Sequence, residues 1–154
     1  MEKTNVMRLL DTAGVKYEPR EYDSAIVDGL SVARTLGEDP QSVFKTLVTE
    51  SEKKTYFVFS IPVNAELNLK KAARAAGVKS IEMIPQKELL PLTGYLHGGC
   101  SPIGLKKPFP VFIDETAELF DTVFFSAGKR GFQVGLNPMD FSSYCKASFI
   151  DLVK

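Results

Sequence analysis

Two apolar runs close together in the chain constrain the fold more than any other feature of the sequence. The runs 43–49 (VFKTLVT) and 55–61 (TYFVFSI) are rich in β-branched and aromatic residues, and the polar residues 50–54 separate them. Such residues favour strands, and a short polar connection is typical of neighbouring antiparallel strands. The pattern therefore predicts a β-hairpin over these residues.

Short helices are expected on both sides of this hairpin, each followed by a glycine. The first is capped by Thr4 and ends at Gly14, the second covers 31–36, and the third is capped by Asn68 and ends at Gly77. Polar side chains of this kind accept hydrogen bonds from the first turn of a helix, and glycine adopts the left-handed backbone that ends one.

The remaining elements complete a mixed chain of helices and strands. They are a strand at 80–83, a helical stretch after Pro85, strands at 111–114, 122–126 and 132–136, and a final helix from Pro138. Because strands outnumber helices and do not alternate with them regularly, an α+β fold with a mixed, mainly antiparallel sheet is favoured over a doubly wound parallel sheet. The length of 154 residues fits a single domain over residues 1–154.

Composition and charge exclude several classes of function. Nineteen Lys and Arg residues balance nineteen Asp and Glu residues, so no overall positive field attracts the chain to nucleic acid or an anionic membrane. His97 is the only histidine, which excludes HExxH zinc sites, and the phosphate-binding P-loop, dinucleotide-binding and GxSxG motifs are missing. We therefore expect no metal and no cofactor.

Cysteine usage and hydropathy indicate the compartment. Two cysteines, Cys100 and Cys145, are too few for a disulfide framework, which favours a reducing environment. No apolar run approaches the ~20 residues of a membrane span, and the N-terminal segment predicts a charged amphipathic helix. We expect a cytoplasmic protein that is neither secreted nor membrane-embedded.

Two glycine-containing loops have a composition suited to ligand binding. In the glycine loop, residues 98–104 (GGCSPIG), adjacent glycines allow successive backbone N–H groups to point into one concavity, where they can hold a carboxylate, a phosphate or an oxyanion. The basic turn, residues 126–131 (SAGKRG), carries Lys129 and Arg130 at its tip and is suited to a phosphate contact. A tight structural loop and a plain basic hairpin tip are the alternative interpretations.

A lysine within an apolar strand is the third candidate. Lys45 shares one side of its predicted strand with Val43 and Leu47, and a lysine on a half-buried face needs a partner or a ligand. Edge strands also carry outward lysines, so a structural interpretation stays open. A further basic group lies on the third helix and is most often solvated surface in proteins; it comprises Lys70, Lys71 and Arg74.

Six motifs in order along the chain resemble the YbaK/EbsC family of Cys-tRNA(Pro) deacylases. They are FKTLV (44–48), ELNLKKAARAAGVKSIEMIP (66–85), TGYLHGGCSPIG (93–104), IDETA (113–117), SAGKRG (126–131) and PMD (138–140). This family is related to the editing domain inserted in bacterial prolyl-tRNA synthetases. The resemblance implies a curved, barrel-like sheet surrounded by helices, and hydrolysis of mischarged aminoacyl-tRNA in trans.

The resemblance also implies roles for particular residues. Lys45, Gly98 and Ser101 are the expected catalytic residues, the lysine holding the ester or terminal adenosine region and the glycine loop facing the scissile carbonyl. The expected substrate-binding residues are Tyr22, Thr46, Gly99, Cys100, Pro102, Ser126, Gly128, Gly131 and Asp140. The expected tRNA-binding residues are Lys70, Lys71, Arg74, Lys129 and Arg130.

For such enzymes the resemblance implies that the nucleophile is the cysteinyl thiol of the substrate, which attacks its own ester and leaves as a cyclic thiolactone. A Cys100–His97 nucleophile pair is less favoured, because two residues three apart in an irregular loop have no fixed facing geometry. The expected partners are aminoacyl-tRNA, specifically tRNA(Pro), and prolyl-tRNA synthetase. Cys-tRNA(Cys) is a further candidate substrate. Specificity for another misacylated tRNA such as Ala-tRNA(Pro) and a noncatalytic module that binds tRNA or a synthetase remain the alternatives.

Overall fold

The computed structural model describes residues 1–154 and shows a single α+β domain. Its helices are α1 (Asn5–Ala13), α2 (Gly29–Leu36), α3 (Leu69–Ala76), α4 (Leu89–Thr93) and α5 (Pro138–Cys145). Its strands are β1 (Glu18–Glu21), β2 (Phe44–Ser51), β3 (Tyr56–Pro62), β4 (Ile81–Met83), β5 (Val111–Asp114), β6 (Val123–Ser126), β7 (Phe132–Leu136) and β8 (Ser148–Ile150). None of the helices combines the length and apolar character needed to cross a lipid bilayer.

The strands pair into two sheets. One has the order β1-β7-β6 with antiparallel neighbours, and the other has the order β4-β2-β3-β5-β8. In the larger sheet β2 pairs antiparallel with β3 and β4, whereas β5 pairs parallel with β3 and β8. The mixed, mainly antiparallel arrangement is confirmed. The pairing does not close into a barrel, so the barrel-like curvature is not confirmed.

A single parallel bridge, between Val43 and Phe124, joins the two sheets. Beyond it β2 and β6 do not continue to pair. On the same side of β2, strand β4 pairs only with Thr49–Ser51, so residues 45–47 have a strand partner only in β3. The junction of the two sheets therefore leaves an opening along this stretch of β2.

Two hydrophobic clusters cover opposite faces of the larger sheet. The main core combines residues of both sheets with α1 and α5, and Phe125 stacks on Phe141 with ring centroids 4.5 Å apart. The second cluster joins Phe59 and Ile61 of β3 to the small residues of α3. Because side chains alternate along a strand, Val58 faces the main core while its neighbour Phe59 faces α3.

The helix caps predicted from sequence are confirmed. The side chain of Thr4 accepts a hydrogen bond from the backbone N–H of Met7, and Asn68 accepts two from the first turn of α3. Gly14 and Gly77 end their helices with φ angles of 72°. These signals are local, which explains why the sequence reveals them.

Three elements differ from the prediction. Helix α2 begins at Gly29 and not at residue 31, because Asp28 is its N-terminal cap and accepts from the N–H of Ser31. Strands β1 and β8 were not predicted from the sequence. The sequence of β1, EPRE, lacks apolar alternation, and it becomes a strand by pairing with the buried strand β7.

Candidate active site

A cleft of about 320 Å³ lies at the junction of the two sheets, where β2 and β6 part. Its walls come from β2, the end of β6, the segment around the start of α2, and the glycine loop. It contains six of the residues predicted to form the site: Tyr22, Lys45, Thr46, Gly98, Cys100 and Ser126. Segments about 80 residues apart in the chain thus converge on one cavity.

The side chain of Lys45 carries the only ammonium group in the cleft wall. Lys45 is half-buried, and it takes part in none of the six ion pairs of the structure. A charged group in such a place loses hydration without gaining a protein partner. Its charge is therefore available to an anionic or carbonyl group of a ligand.

Thr46 contributes to the cleft through a strand edge. Its hydroxyl lies 3.1 Å from that of Ser60, on the face of β2 opposite Lys45. The carbonyl of Val48 accepts from Ile84 N–H on the β4 side, and backbone groups of an antiparallel strand alternate sides with a period of two. The N–H and C=O of Thr46 therefore point toward the same side, where no strand pairs with it.

Gly98 is the point of closest approach in the glycine loop. Its φ is 86°, and a Cβ there would lie 2.6 Å from Cγ1 of Val27 and 3.1 Å from Nε of Arg130. Arg130 Nε also donates a hydrogen bond to the carbonyl of His97 at 2.8 Å. The basic turn is thereby fastened to the glycine loop, and both the backbone angle and the space at residue 98 require glycine.

The basic turn affects the cleft mainly through the residues it contacts. Gly131 has a φ of 93°, and its carbonyl accepts the N–H of Tyr22 at 2.9 Å. A Cβ at Gly128 would lie 2.8 Å from Cε1 of Tyr95. Of the turn, only Ser126 lines the cleft, so Gly128 and Gly131 act on its shape by positioning Tyr22 and the surrounding loop. Burial raises the pKa of the Tyr22 hydroxyl, which keeps this cleft residue neutral.

Cys100 and His97 both line the cleft, but their chemistry does not favour an enzyme nucleophile. Burial raises the pKa of the Cys100 thiol to about 12, so the thiol is protonated near neutral pH. His97 is exposed, and it contacts Arg130 through its backbone carbonyl and not its imidazole. No cluster of three or more His, Cys, Asp or Glu side chains is arranged to hold a metal ion.

Several predicted residues do not line this cleft. Ser101 is fully buried, and its hydroxyl accepts the N–H of Ile103, which gives it a place in the loop's internal structure. Asp140 lies exposed in the first turn of α5, outside the cleft. The other predicted substrate-binding residues outside it are Gly99, Pro102, Gly128 and Gly131.

The predicted tRNA-binding residues also lie outside the cleft, and some have partners within the protein. Lys71 Nζ is 2.8 Å from Asp151 and donates to the carbonyl of Val153 at the same distance. Lys129 forms an ion pair with Glu2. The exposed members of the set are Lys70, Arg74, Lys129 and Arg130.

Sequence reasoning missed three polar residues at or near the cleft: Asp28, which lines the cleft and caps α2, Gln133 and Glu38. Gln133 lies within the otherwise apolar strand β7 and lines the cleft, although it is only 2% exposed. Glu38 does not line the cleft, but its carboxylate accepts a hydrogen bond from Gln133 Nε2 at 3.0 Å. A glutamine inside an apolar run is the signal that could have identified this pair.

A comparison with known families assigns the chain to a class of proteins. Residues 26–144 match the family model of the aminoacyl-tRNA editing domain. That range includes every residue that lines the cleft except Tyr22. The chain therefore belongs to the aminoacyl-tRNA editing domain family, and the resemblance indicated by its motifs is confirmed.

Individual relatives agree with this assignment. The chain is 42% identical over 153 residues to an Enterococcus faecalis protein named "Putative Cys-tRNA(Pro)/Cys-tRNA(Cys) deacylase EbsC", covering 98% of this chain and 93% of that protein. A crystal structure of "a putative trans-editing enzyme for prolyl tRNA synthetase" has a TM-score of 0.85 at 24% identity, covering 100% of this chain and 99% of the other. The hypothetical protein APE2540 has a TM-score of 0.91 at 19% identity, covering 98% and 100%. These two structures share the fold.

Proposed function

We propose that this protein is a trans-editing hydrolase that removes cysteine from Cys-tRNA(Pro). The observation that carries the proposal is the unpaired ammonium group of Lys45 beside the glycine loop, in a cleft without an activated protein nucleophile. The choice of cysteine and tRNA(Pro) is supported by the Enterococcus faecalis relative, whose name also includes Cys-tRNA(Cys). The ester between cysteine and the terminal adenosine is the bond cleaved.

The cleft acts by holding the ester in one conformation. The Lys45 ammonium binds the ester oxygen or the terminal phosphate, and the backbone edge at Thr46 and the glycine loop contact the aminoacyl group. An aminoacyl ester is already activated, so a correct orientation and stabilisation of the charge on the carbonyl oxygen supply most of what cleavage needs. Lys45 and Gly98 are the residues to which we assign this role.

The nucleophile in this proposal is the thiol of the substrate. Its sulfur attacks the ester carbonyl carbon, the bond from that carbon to the ribose oxygen breaks, and the thiol proton ends on the ribose oxygen. The products are free tRNA and a cyclic thiolactone, which water opens to cysteine. A solvated thiol is ionised to a few per cent near pH 7, far more than Cys100 with its pKa of about 12.

The rest of the tRNA lies outside the cleft in this proposal. Lys70, Arg74, Lys129 and Arg130 are the exposed basic residues that we assign to backbone phosphates. Because the net charge is +0, this affinity is weak and depends strongly on salt. Docking on prolyl-tRNA synthetase in the cytoplasm raises the effective concentration of the mischarged tRNA.

The decisive experiment is a deacylation panel at substoichiometric enzyme. The substrates are tRNA(Pro) carrying cysteine, alanine, serine or proline, together with Cys-tRNA(Cys). We expect multiple turnovers on Cys-tRNA(Pro) and rates lower by orders of magnitude on the seryl ester, because a hydroxyl is essentially never ionised near pH 7. Fastest cleavage of the alanyl ester would instead establish specificity for Ala-tRNA(Pro), and protection of every ester would establish a noncatalytic binding module.

A further inference from the structure

A buried polar pair adjoins the cleft and has unsatisfied hydrogen-bonding capacity. Glu38 follows α2, its side chain is 3% exposed, and one carboxylate oxygen accepts from Gln133 Nε2. The amide oxygen of Gln133 is buried without a hydrogen-bond partner, and the other oxygen of Glu38 accepts no hydrogen bond but lies 3.5 Å from the Arg20 guanidinium. Leaving a buried acceptor unsatisfied costs free energy, about 1–3 kcal/mol in typical proteins, so such a pair calls for an explanation.

The register of the smaller sheet places Gln133 between this carboxylate and the cleft. Gln133 on β7 lies directly opposite Ser126 on β6 and Arg20 on β1. Directly opposed residues of antiparallel strands share a face, so the three side chains form a row across the sheet. Ser126 and Gln133 line the cleft, whereas Arg20 lies beyond Gln133 and forms an ion pair with Glu38 at 3.5 Å.

The chemistry of the pair fixes which end of the Gln133 amide is free. A carboxylate only accepts hydrogen bonds, so it selects the amide nitrogen and leaves the amide oxygen for another donor. An ester carbonyl and a phosphate are acceptors and cannot supply that donor. In an aminoacyl ester the α-ammonium group is a cationic donor. The Glu38 carboxylate, which is hydrogen-bonded to the other end of the Gln133 amide, favours a cation at the amide oxygen.

We propose that Glu38 is a positioning residue that turns the Gln133 amide oxygen toward the cleft, where it accepts a hydrogen bond from the α-ammonium group of the bound aminoacyl ester. This assignment rests on the proposed function and names the part of the substrate that this side of the cleft recognises. It gives the cleft two ends, the Gln133 oxygen for the ammonium group and Lys45 for the ester or phosphate.

Arg20 contacts Glu38 on the side away from the cleft. Its guanidinium lies 3.3 Å from Glu18 and 3.5 Å from Glu38, and it stands 4.8 Å from the centroid of the Phe124 ring. Burial raises the pKa of the Glu38 carboxyl, and the Gln133 hydrogen bond and the Arg20 charge oppose that rise. Glu18 is exposed and pairs with the same arginine but has no hydrogen bond to Gln133, which makes it a matched control.

The test compares two esters of tRNA(Pro) that differ only in the amino group. One carries cysteine, and the other carries 3-mercaptopropionate, which keeps the thiol and the ester. We measure kcat/KM for both, each relative to its spontaneous rate, with the wild type, Glu38→Ala, Glu38→Gln and the control Glu18→Ala. We expect the wild type to prefer the cysteinyl ester about 10-fold or more, the scale of one hydrogen bond to a charged group.

The variants then separate positioning from a structural role. Glu38→Ala should slow only the cysteinyl ester and reduce the preference to about 2-fold or less, because its Gln133 amide is no longer held. Glu38→Gln should restore the preference, since its amide oxygen still accepts from Gln133 Nε2, and Glu18→Ala should match the wild type. Equal slowing of both esters by Glu38→Ala, or no preference in the wild type, would overturn the assignment.

A second variant, at Gln133, keeps the test decisive if Glu38→Ala does not fold. Gln133→Leu keeps a side chain of similar size without the amide oxygen, and it should lose the preference while still cleaving the mercaptopropionyl ester. A Gln133→Leu protein that keeps the preference would overturn the assignment. Failure of the proposed function has a different signature, because the wild type would then cleave neither ester.

Discussion

Two regions of the molecule, the surroundings of α3 and the cleft, treat their polar groups differently. Around α3, the Lys71 ammonium group is held by Asp151 and the Val153 carbonyl, and the Glu52 carboxylate accepts two backbone N–H groups between α3 and β4. At the cleft, Lys45 has no ion-pair partner and the Gln133 amide oxygen has no donor. Paired polar groups stabilise the fold, whereas the unpaired ones are the groups to which our proposals assign a partner on the ligand.

The strongest test of this difference exchanges one lysine for alanine in each region. Lys45→Ala should lower kcat/KM for Cys-tRNA(Pro) by about 100-fold or more, because it removes a charge that contacts the reacting ester. Thermal unfolding should change little, since Lys45 has no protein partner to lose. Lys71→Ala is the matched control and should keep the activity. Near-native turnover of a folded Lys45→Ala protein would contradict the assignment.

Two glycines with positive φ provide the second test. Gly98→Ala places a Cβ 2.6 Å from Val27 and should reduce activity about 10-fold or more, with a stability loss of about 1–3 kcal/mol from backbone strain and crowding. Gly14 has a φ of 72° but no atom within 4 Å of its ideal Cβ. Gly14→Ala should therefore cost only about 1 kcal/mol and leave kcat/KM unchanged. Equal activity losses would show that the glycine loop has no special role.

The exposed side of α3 can be tested for tRNA contacts without disturbing the ion pair between Lys71 and Asp151. Neutralising Lys70 and Arg74 together should weaken tRNA binding a few-fold and reduce the salt dependence by a slope of about 2, leaving the chemical step unchanged. Binding is measured at several salt concentrations with uncharged tRNA(Pro). An unchanged slope would mean that the tRNA docks elsewhere and that α3 is purely structural.

The smallest effect is expected at Cys100. Cys100→Ser should keep activity within about 3-fold of the wild type, because a thiol with a pKa of about 12 is protonated and contributes mainly its volume. The rate should rise with pH up to the ionisation of the substrate thiol, near pH 8.5, in both proteins. Loss of turnover in Cys100→Ser would shift the mechanism to an enzyme thiol with His97 as its base.

The sequence anticipated the elements whose signals are local. The hairpin predicted over 43–49 and 55–61 corresponds to β2 and β3 at Phe44–Ser51 and Tyr56–Pro62, because strand composition and the polar turn are properties of neighbouring residues. The caps at Thr4 and Asn68 follow for the same reason. Strand β1 could not be predicted, since its four residues become a strand only by pairing with β7 more than 100 residues later.

The candidate site divides in the same way. Residue type and order along the chain were enough to single out Lys45, the glycine loop and the basic turn, and through their resemblance the family. Only the tertiary structure showed that Ser101 is sealed inside its loop and that Asp140 lies outside the cleft. Burial depends on what other segments pack over a residue, which no local pattern records.

By itself, the sequence determined most of the elements, their caps and the segments that carry chemistry, because these depend on interactions between residues a few positions apart. The tertiary structure decided which of these segments meet. The bridge from Val43 to Phe124 and the end of pairing beyond it open the cleft, and the register of β1, β7 and β6 brings Gln133 to its wall. Strand register is fixed by the packing of a whole buried face, so a polar residue acquires its neighbours only when the complete sheet is assembled.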